Sequence, residues 1–371
     1  MESMVGINSK FWQNKRVLIT GHTGFKGSWL TLWLRILGAN VWGLSLEEDN
    51  NQNLFQELYK DNNEYLTKNF YHNSGDILDQ EKLNEVIEDC QPEIVIHLAA
   101  QALVRKSYSV PISTWETNVI GSLKVLESLK FIKNRCAVLM ITTDKVYKNN
   151  EWLYGYREID RLGGNDPYSA SKAACEIAIE SWRRSFCGDF EHQTNKLKIA
   201  TARSGNVIGG GDWSTDRIIP DAIRSLKENK PIIVRNPEST RPWQHVLDPL
   251  SGYLKLAEHL FNHNTFSSDI YDSFNFGPND QNQIKVSDLI NLILEYWPGE
   301  WITKTAMDQL KESKLLTLQI DKAKNILNWH PSWDINSTAY RTINWYKKFE
   351  EGITAFECCK EDIIDFQSGK K

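Results

Sequence analysis

Apolar and polar positions along this chain follow two rhythms. Short β-rich runs, RVLIT at 16–20, NVWGLSL at 40–46, EIVIHLAA at 93–100, AVLMITT at 137–143 and KLKIATARS at 196–204, read as strands. Between them EKLNEVIEDC and GSLKVLESLKFI space their apolar residues as amphipathic helices do, and SWLTLWLRIL is apolar on every side until Gly38 stops it. Strands that alternate with helices need crossover connections. The pattern therefore predicts an α/β fold, a doubly wound parallel Rossmann-type sheet.

After Lys196 the rhythm breaks. GGGDW, NPESTRPW and NFGPNDQN are rich in Gly, Pro and Asn, and such loops commonly bind something. VSDLINLILEYW (286–297) and NSTAYRTINWYKKF (336–349) read as late helices of a smaller mixed α/β lobe laid over the sheet's carboxyl edge. The expected division is a dinucleotide-binding domain over 11–205, with a return segment near 240–276, and a substrate-binding lobe over 206–239 and 277–350. Residues 351–371 read as a partly ordered C-terminal tail.

Composition narrows the classes. With 371 residues, 41% hydrophobic and 25% charged, the chain can bury a large core, and a net charge of −5 leaves no basic footprint for nucleic acid. Any anionic ligand must be met by local cations. The six cysteines form no C-x-x-C pair and no zinc-ligand spacing with histidine, so they read as reduced thiols and no metal is expected. No run approaches the roughly 18 apolar residues of a membrane span, and MESMVGINSKFWQNK has no apolar leader core, so a cytoplasmic protein away from membranes is expected. The 14 tryptophans keep no fixed period and read as core and interface aromatics.

Gly21, Gly24 and Gly27 form G-x-x-G-x-x-G between a strand and a helix. The first allows the tight turn, the second lets the backbone approach a pyrophosphate, and the third lets helix and strand pack closely. The helix N-terminus then offers free N–H groups to the phosphates. At the end of the second strand, where an acid usually takes the adenosine ribose of NAD, stand Ser45 and Leu46, with Glu47 and Glu48 only beyond. No arginine in 44–50 awaits a 2′-phosphate, which tilts the choice from NADP toward NAD.

Two further patterns carry chemistry. In DPYSASK, Tyr168 and Lys172 lie four apart on one helical face, where an ammonium beside the phenol favours the phenolate as a base. In ITTDKVY, Thr142 and Thr143 end a strand and Asp144 and Lys145 follow at once, which taken alone reads first as a solvated turn.

GHTGFKG, HLAAQALVRKSY, TNVIGS, TTDKVY and YSASK, in this order, resemble the extended short-chain dehydrogenase/reductase superfamily, in its nucleotide-sugar branch. RSGNVIGGGDW, DRIIPD, IVRNPESTRPWQHVLDPL and FNFGP resemble more narrowly the CDP-sugar 4,6-dehydratases, and the resemblance runs from about Phe11 to Phe349. It implies oxidation of the sugar at C4, loss of water across C5 and C6, and return of the hydride to C6, with CDP-glucose as substrate and NAD tightly held. Tyr168 would be the C4-hydroxyl base, Lys172 its tuner and a ribose anchor, and Thr143 a partner for the C4 oxygen. Where dTDP-sugar dehydratases resemble T-D-E, this chain has lysine, so Asp144 becomes the acid for the C6 hydroxyl and Lys145 the C5 base. A lysine base must be neutral, so its ordinary pKa near 10.4 has to fall to about 7, at a cost of about 4 kcal/mol, with Asp144 protonated when Lys145 is not. The resemblance also implies cofactor contacts at Gly21, Thr23, Gly24, Phe25, Lys26, Gly27, Asp76, Ile77, Leu98, Ala99 and Ala100. Asn206 and Arg241 would hold substrate phosphates, and Arg217 and Arg235 would line the nucleotide pocket. His245 would be a substrate contact or a structural histidine, and Trp243 packing. A homodimer or dimer of dimers through the Tyr168 helix is expected, as is a place in deoxysugar and surface-polysaccharide biosynthesis. Two alternatives stay open: an epimerase, reductase or dehydratase for a dTDP-, GDP- or UDP-sugar, and a nucleotide-binding regulatory protein without catalysis.

Overall fold

In the computed structural model, residues 6–47, 52–60, 64–130, 132–187, 196–262, 272–279, 283–303 and 315–370 are described. Seven strands, β1 (Arg16–Thr20), β2 (Asn40–Ser45), β3 (Phe70–Ser74), β4 (Ile94–His97), β5 (Cys136–Ile141), β6 (Leu197–Ser204) and β7 (Ser273–Phe276), form one parallel sheet in the order β7-β6-β5-β4-β1-β2-β3. Alternate residues serve opposite faces: Leu18 of β1 joins one core with Val95, Val138 and Ile199, while Val17 and Ile19 join the other with Ile96, Leu139 and Ala200. Each face is covered by helices, which is why the strands read as continuous apolar runs. The first core is closed by α2 (Gln80–Cys90), α3 (Ser122–Leu129) and α4 (Pro167–Phe186), the second by α1 (Phe25–Ile36) and α6 (Leu247–Asn262).

Two strands escaped the sequence pattern. The edge strand β3, FYHNS, has no apolar run because none of its residues is buried, and β7, SFNF, spans four residues of which the last two open the stretch NFGPNDQN read as loop. The second half adds α5 (Ile218–Lys227), α7 (Val286–Tyr296), α8 (Ile335–Glu350) and three short strand pairs, Val207–Ile208 with Gln244–His245, Thr240–Pro242 with Gln283–Lys285, and Ile232–Val234 with Trp301–Thr303.

GGGDW is a splice in the packing as well as a loop. A Cβ on Gly210 would lie 1.9 Å from Cγ of Trp345 on α8, and the Gly210 carbonyl accepts a 3.0 Å hydrogen bond from Trp29 Nε1 on α1. Only glycine lets these two tryptophans close on the backbone.

The tail expectation is corrected. Residues 355–368 form α9 (Ala355–Ser368), opened by a Thr354/Glu357 capping box and closed at Gly369 with φ 73°. Its Cys358, Cys359, Ile363 and Phe366 are buried, with the Phe366 ring edge-on to Trp33 and Trp333. The T-x-x-E cap and the 355, 358, 359, 362, 363, 366 spacing of buried positions were both legible as helix. All six cysteines are buried free thiols.

Candidate active site

The strand order reverses between β1 and β4, so the turns that follow them part at the carboxyl edge and leave a crevice there. The turn after β1 is tight: Gly21 has φ 77°, and a Cβ there would lie 2.6 Å from the Ala99 nitrogen, while one on Gly27 would lie 2.1 Å from the Gly21 carbonyl oxygen. Gly24 caps α1 without a side-chain hydrogen bond, leaving the first-turn N–H groups to a ligand. Thr23 donates its N–H to Ser45 Oγ, Phe25 opens α1, Asp76 and Ile77 follow β3, and Leu98, Ala99 and Ala100 follow β4. These residues gather at the carboxyl ends of β1, β3 and β4, and the glycine cradle fits a dinucleotide pyrophosphate.

At the end of β2, Ser45 Oγ meets His22 Nδ1 at 3.0 Å, and His22 Nε2 meets His72 Nδ1 at 2.7 Å. Burial, then His72, holds His22 neutral, down to about 3. Glu47 is exposed and Glu48 lies outside the described residues.

Lys26 departs from its cofactor neighbours. Its Nζ donates to Ser204 Oγ at 2.7 Å and to the Tyr253 hydroxyl at 3.4 Å, turning toward the ends of β5 and β6. Burial, then Arg217, pushes its pKa down to about 7, with Lys145 and Lys172 acting in the same sense and Asp144 against.

The segment after β5 forms a single 3₁₀ turn, Asp144–Val146, capped by Thr143. Thr143 Oγ1 donates to Asp144 Oδ1 at 2.9 Å, and Lys145 Nζ donates to the same oxygen at 3.0 Å and to Asn206 Oδ1 at 3.4 Å. Asp144 is 1% exposed, so the surface-turn reading fails. Facing it, α4 starts at a capping box between Asp166 and Ser169, with Pro167 in its first turn, which fixes the helix entry and hence Tyr168. The Tyr168 hydroxyl shares a hydrogen bond with Thr143; burial raises its pKa, opposed first by Lys145. Lys172 donates to the Ile141 carbonyl at 3.2 Å, and burial lowers its pKa. The cation acting most on the phenol is thus Lys145, whereas the sequence pointed to Lys172.

Lys145 itself corrects an expectation. Burial does push its pKa down, but Asp144 and Tyr168 outweigh burial and hold it above the ordinary value. It rests as an ammonium on a carboxylate.

The arginines divide. Arg217 donates to Asp212 at 2.9 Å and acts on Lys26 and Tyr168; Arg241 donates to the Thr240 carbonyl at 2.9 Å and acts on Lys145, so both border the crevice. Arg235 pairs with Asp216 at 2.7 Å on the exposed side, joined there by Arg105 at 3.9 Å. His245 is fully buried between Trp29 and Trp333, its Nδ1 accepting from the Leu247 N–H, and burial lowers its pKa to about 3. It lies in the core, as Trp243 does. Sequence reasoning missed Ser204 and Tyr253, which hold Lys26, and Glu176 of α4; only Glu176, one turn after Lys172, carried a positional signal.

Among the described residues no His, Cys, Asp and Glu cluster is arranged to hold a metal ion, and no helix is long and apolar enough to cross a membrane.

The model of the GDP-mannose 4,6 dehydratase family matches residues 18–342. The chain is 42% identical over 364 residues to CDP-glucose 4,6-dehydratase of Salmonella typhimurium, covering 98% of this chain and 99% of that one. Among solved structures, dTDP-glucose 4,6-dehydratase of Bacillus anthracis in complex with NAD is 21% identical at a TM-score of 0.73, covering 91% of this chain and 98% of that one. UDP-glucuronic acid 4-epimerase of Bacillus cereus in complex with UDP-glucuronic acid and NAD is 21% identical at 0.74, covering 90% and 99%. At these identities the two structures speak for the fold.

Proposed function

Because the chain belongs to the GDP-mannose 4,6-dehydratase family of nucleotide-sugar enzymes, we propose that it is a hydro-lyase converting CDP-D-glucose to CDP-4-keto-6-deoxy-D-glucose with NAD. The observation that carries this reading is the Asp144–Lys145 pair, a buried carboxyl and a half-buried amine 3.0 Å apart, beside Tyr168. A C4 epimerase or a simple reductase has no use for an acid and a base there.

The glycine turn and the ends of β3 and β4 would hold NAD, which when bound would supply the acceptor for the C4 hydride and the donor of that hydride to C6, so none would be consumed. Tyr168, once ionised to its phenolate, accepts the C4-hydroxyl proton and becomes the phenol, with Thr143 bonded to the oxygen. The ketone so formed acidifies the C5 proton, which Lys145 removes while Asp144 gives its proton to the departing C6 hydroxyl. The resting ammonium–carboxylate pair already holds the proton required. One transfer across 3.0 Å, from Nζ to Oδ1, makes an amine base and a carboxylic acid with no exchange with solvent. Excluding water as substrate fills the cleft favours that neutral form, because it disfavours separated charges. Arg241 beside Lys145 adds to the push.

The diphosphate is met by Arg241 and by Asn206 beside Lys145, while Arg217 and Arg235 line the nucleotide pocket. Residues 11–205 with the return near 240–276 carry the cofactor, and 206–239 with 277–350 the substrate. The product suits deoxysugar synthesis for surface polysaccharide such as O-antigen. A cytoplasmic homodimer is our reading, supported by the unpaired cysteines and by exposed Ile112, Trp115, Ile120 and Ile177 on helices that include α4.

The test offers CDP-, dTDP-, UDP- and GDP-linked hexoses with NAD and follows product mass and nicotinamide absorbance. A 4-keto-6-deoxy product from CDP-glucose without net NADH is expected. Net NADH would turn the reading toward a simple dehydrogenase.

A further inference from the structure

Below the acid–base turn lies a buried ion pair that the chemistry above does not use. Glu176 of α4 and Arg203 of β6, each 4% exposed, meet through two bonds: Arg203 Nε to Oε1 and Nη2 to Oε2, both 2.9 Å. The carboxylate also accepts from the Thr142 hydroxyl at 2.5 Å and the Thr201 hydroxyl at 2.8 Å. The third arm of the guanidinium, Nη1, donates to the Tyr147 hydroxyl at 2.8 Å and the Glu158 carbonyl at 3.0 Å. Tyr147 in turn donates to Asn275 Oδ1 at 2.7 Å, and Asn275 donates to the carbonyls of Tyr156 and Gln319. Both glutamate oxygens and every arm of the arginine are satisfied.

The partners are not arbitrary. Thr142 directly precedes Thr143-Asp144-Lys145, and Tyr147 follows it after Val146. The turn between them is weakly held by its own bonds: Val146 N–H to the Thr143 carbonyl and Lys145 N–H to Thr143 Oγ1 are both 3.4 Å, near the limit for a hydrogen bond. The backbone leaves the turn pinned by the Gly163 N–H on the Val146 carbonyl at 2.8 Å. Its two flanking side chains are tied to the ion pair. Glu176 also lies four residues beyond Lys172 and eight beyond Tyr168, on the same face of α4.

We propose that the Glu176–Arg203 pair is the positioning device of the acid–base segment, gripping Thr142 and Tyr147 on either side so that Asp144 and Lys145 are set against the helix that carries Tyr168. Neither residue touches the reacting atoms. The proposal rests on the dehydratase reading, and it separates two half-reactions: C4 oxidation depends on α4, whereas C5 deprotonation and loss of water depend on where the gripped turn lies.

Removing the ion pair itself risks the fold, so single links are cut instead. Tyr147→Phe and Thr142→Val each delete one hydroxyl and leave Glu176 and Arg203 paired; Thr142→Ser restores the hydroxyl. With purified NAD-loaded enzyme and CDP-glucose, C4 oxidation is read from transient reduced-nicotinamide absorbance, and C5 chemistry from solvent deuterium entering the product. Expected for both Tyr147→Phe and Thr142→Val is a melting temperature near that of wild type, oxidation within about threefold, and deuterium entry slowed by about ten- to a hundredfold. Reduced nicotinamide should then accumulate on the enzyme, and Thr142→Ser should behave as wild type. Equal loss in both half-reactions would reduce the pair to a structural role and overturn the proposal, as would unchanged deuterium entry. Wild-type enzyme that makes no 4-keto product would sink the dehydratase reading, and the proposal with it, before any variant is compared.

Discussion

Two sets of charges, each with one member on helix α4, meet the cost of burial differently: one fully buried, the other lining the crevice half-buried. Around Glu176 and Arg203 each polar atom has a partner, the fork of the arginine matches the carboxylate, and burial, though it opposes ionisation, is outweighed so that the glutamate stays well ionised. Around Lys145 the balance is unequal: Lys26, Lys145, Lys172, Arg217 and Arg241 converge, with Asp144 acting on Lys26 and Lys145, Asp212 paired with Arg217, and Glu176 acting on Lys172. A compensated cluster holds structure in place. A cluster with more cations than carboxylates stays responsive, because an anionic diphosphate or the loss of water can change which group carries the proton.

The largest effect should come from cutting the responsive set at its base. Lys145→Met should lower dehydration by about a thousandfold while NAD still binds, measured by product formation and by cofactor retention on gel filtration. If C5 exchange persisted at the original rate, the base would lie elsewhere. Breaking the compensated set should instead cost stability: Glu176→Ala leaves Arg203 buried without its carboxylate, and denaturant unfolding should record a loss of about 3–5 kcal/mol.

A subtler contrast comes from pH. The Lys26 amine is held at about 7 in the fold but titrates near 10.4 once unfolded, so between those values unfolding takes up a proton. Through this group the ligand-free protein gains stability as pH rises. Urea unfolding from about pH 7 to about pH 9 should show wild type gaining roughly 2 kcal/mol more than Lys26→Met. The smallest effect belongs to a pair in neither set: Arg235→Gln, which breaks an exposed bridge to Asp216, should shift unfolding by less than about 1 kcal/mol.

Much of the site was legible because its residues act through local spacing. Gly21, Gly24 and Gly27 are interpretable from strand, turn and helix alone, and Tyr168 and Lys172 from a shared helical face. Asp144 and Lys145 were legible as a pair once the neighbouring motifs were read with them. Less legible were groups that converge from distant segments. Lys26 reads as a cofactor residue by its neighbours in sequence, yet its four-carbon stem reaches Ser204 and Tyr253. His245 sits in a loop rich in polar residues and is nevertheless enclosed by Trp29 and Trp333. The helix at 355–368 was overlooked despite its cap and periodicity; it packs on α8 just before it and on Trp33 of α1, more than 300 residues back in the chain.

By itself, then, the sequence determined the alternation of strands and helices, the glycine cradle and the identity of the acid, the amine and the phenol, since each depends on residues within a turn or two of one another. The tertiary structure alone decided the charge state in which Lys145 rests. That state depends on burial, on Asp144, on Tyr168 from α4 and on Arg241 from the second half, and the balance among them exists only where the fold brings them together.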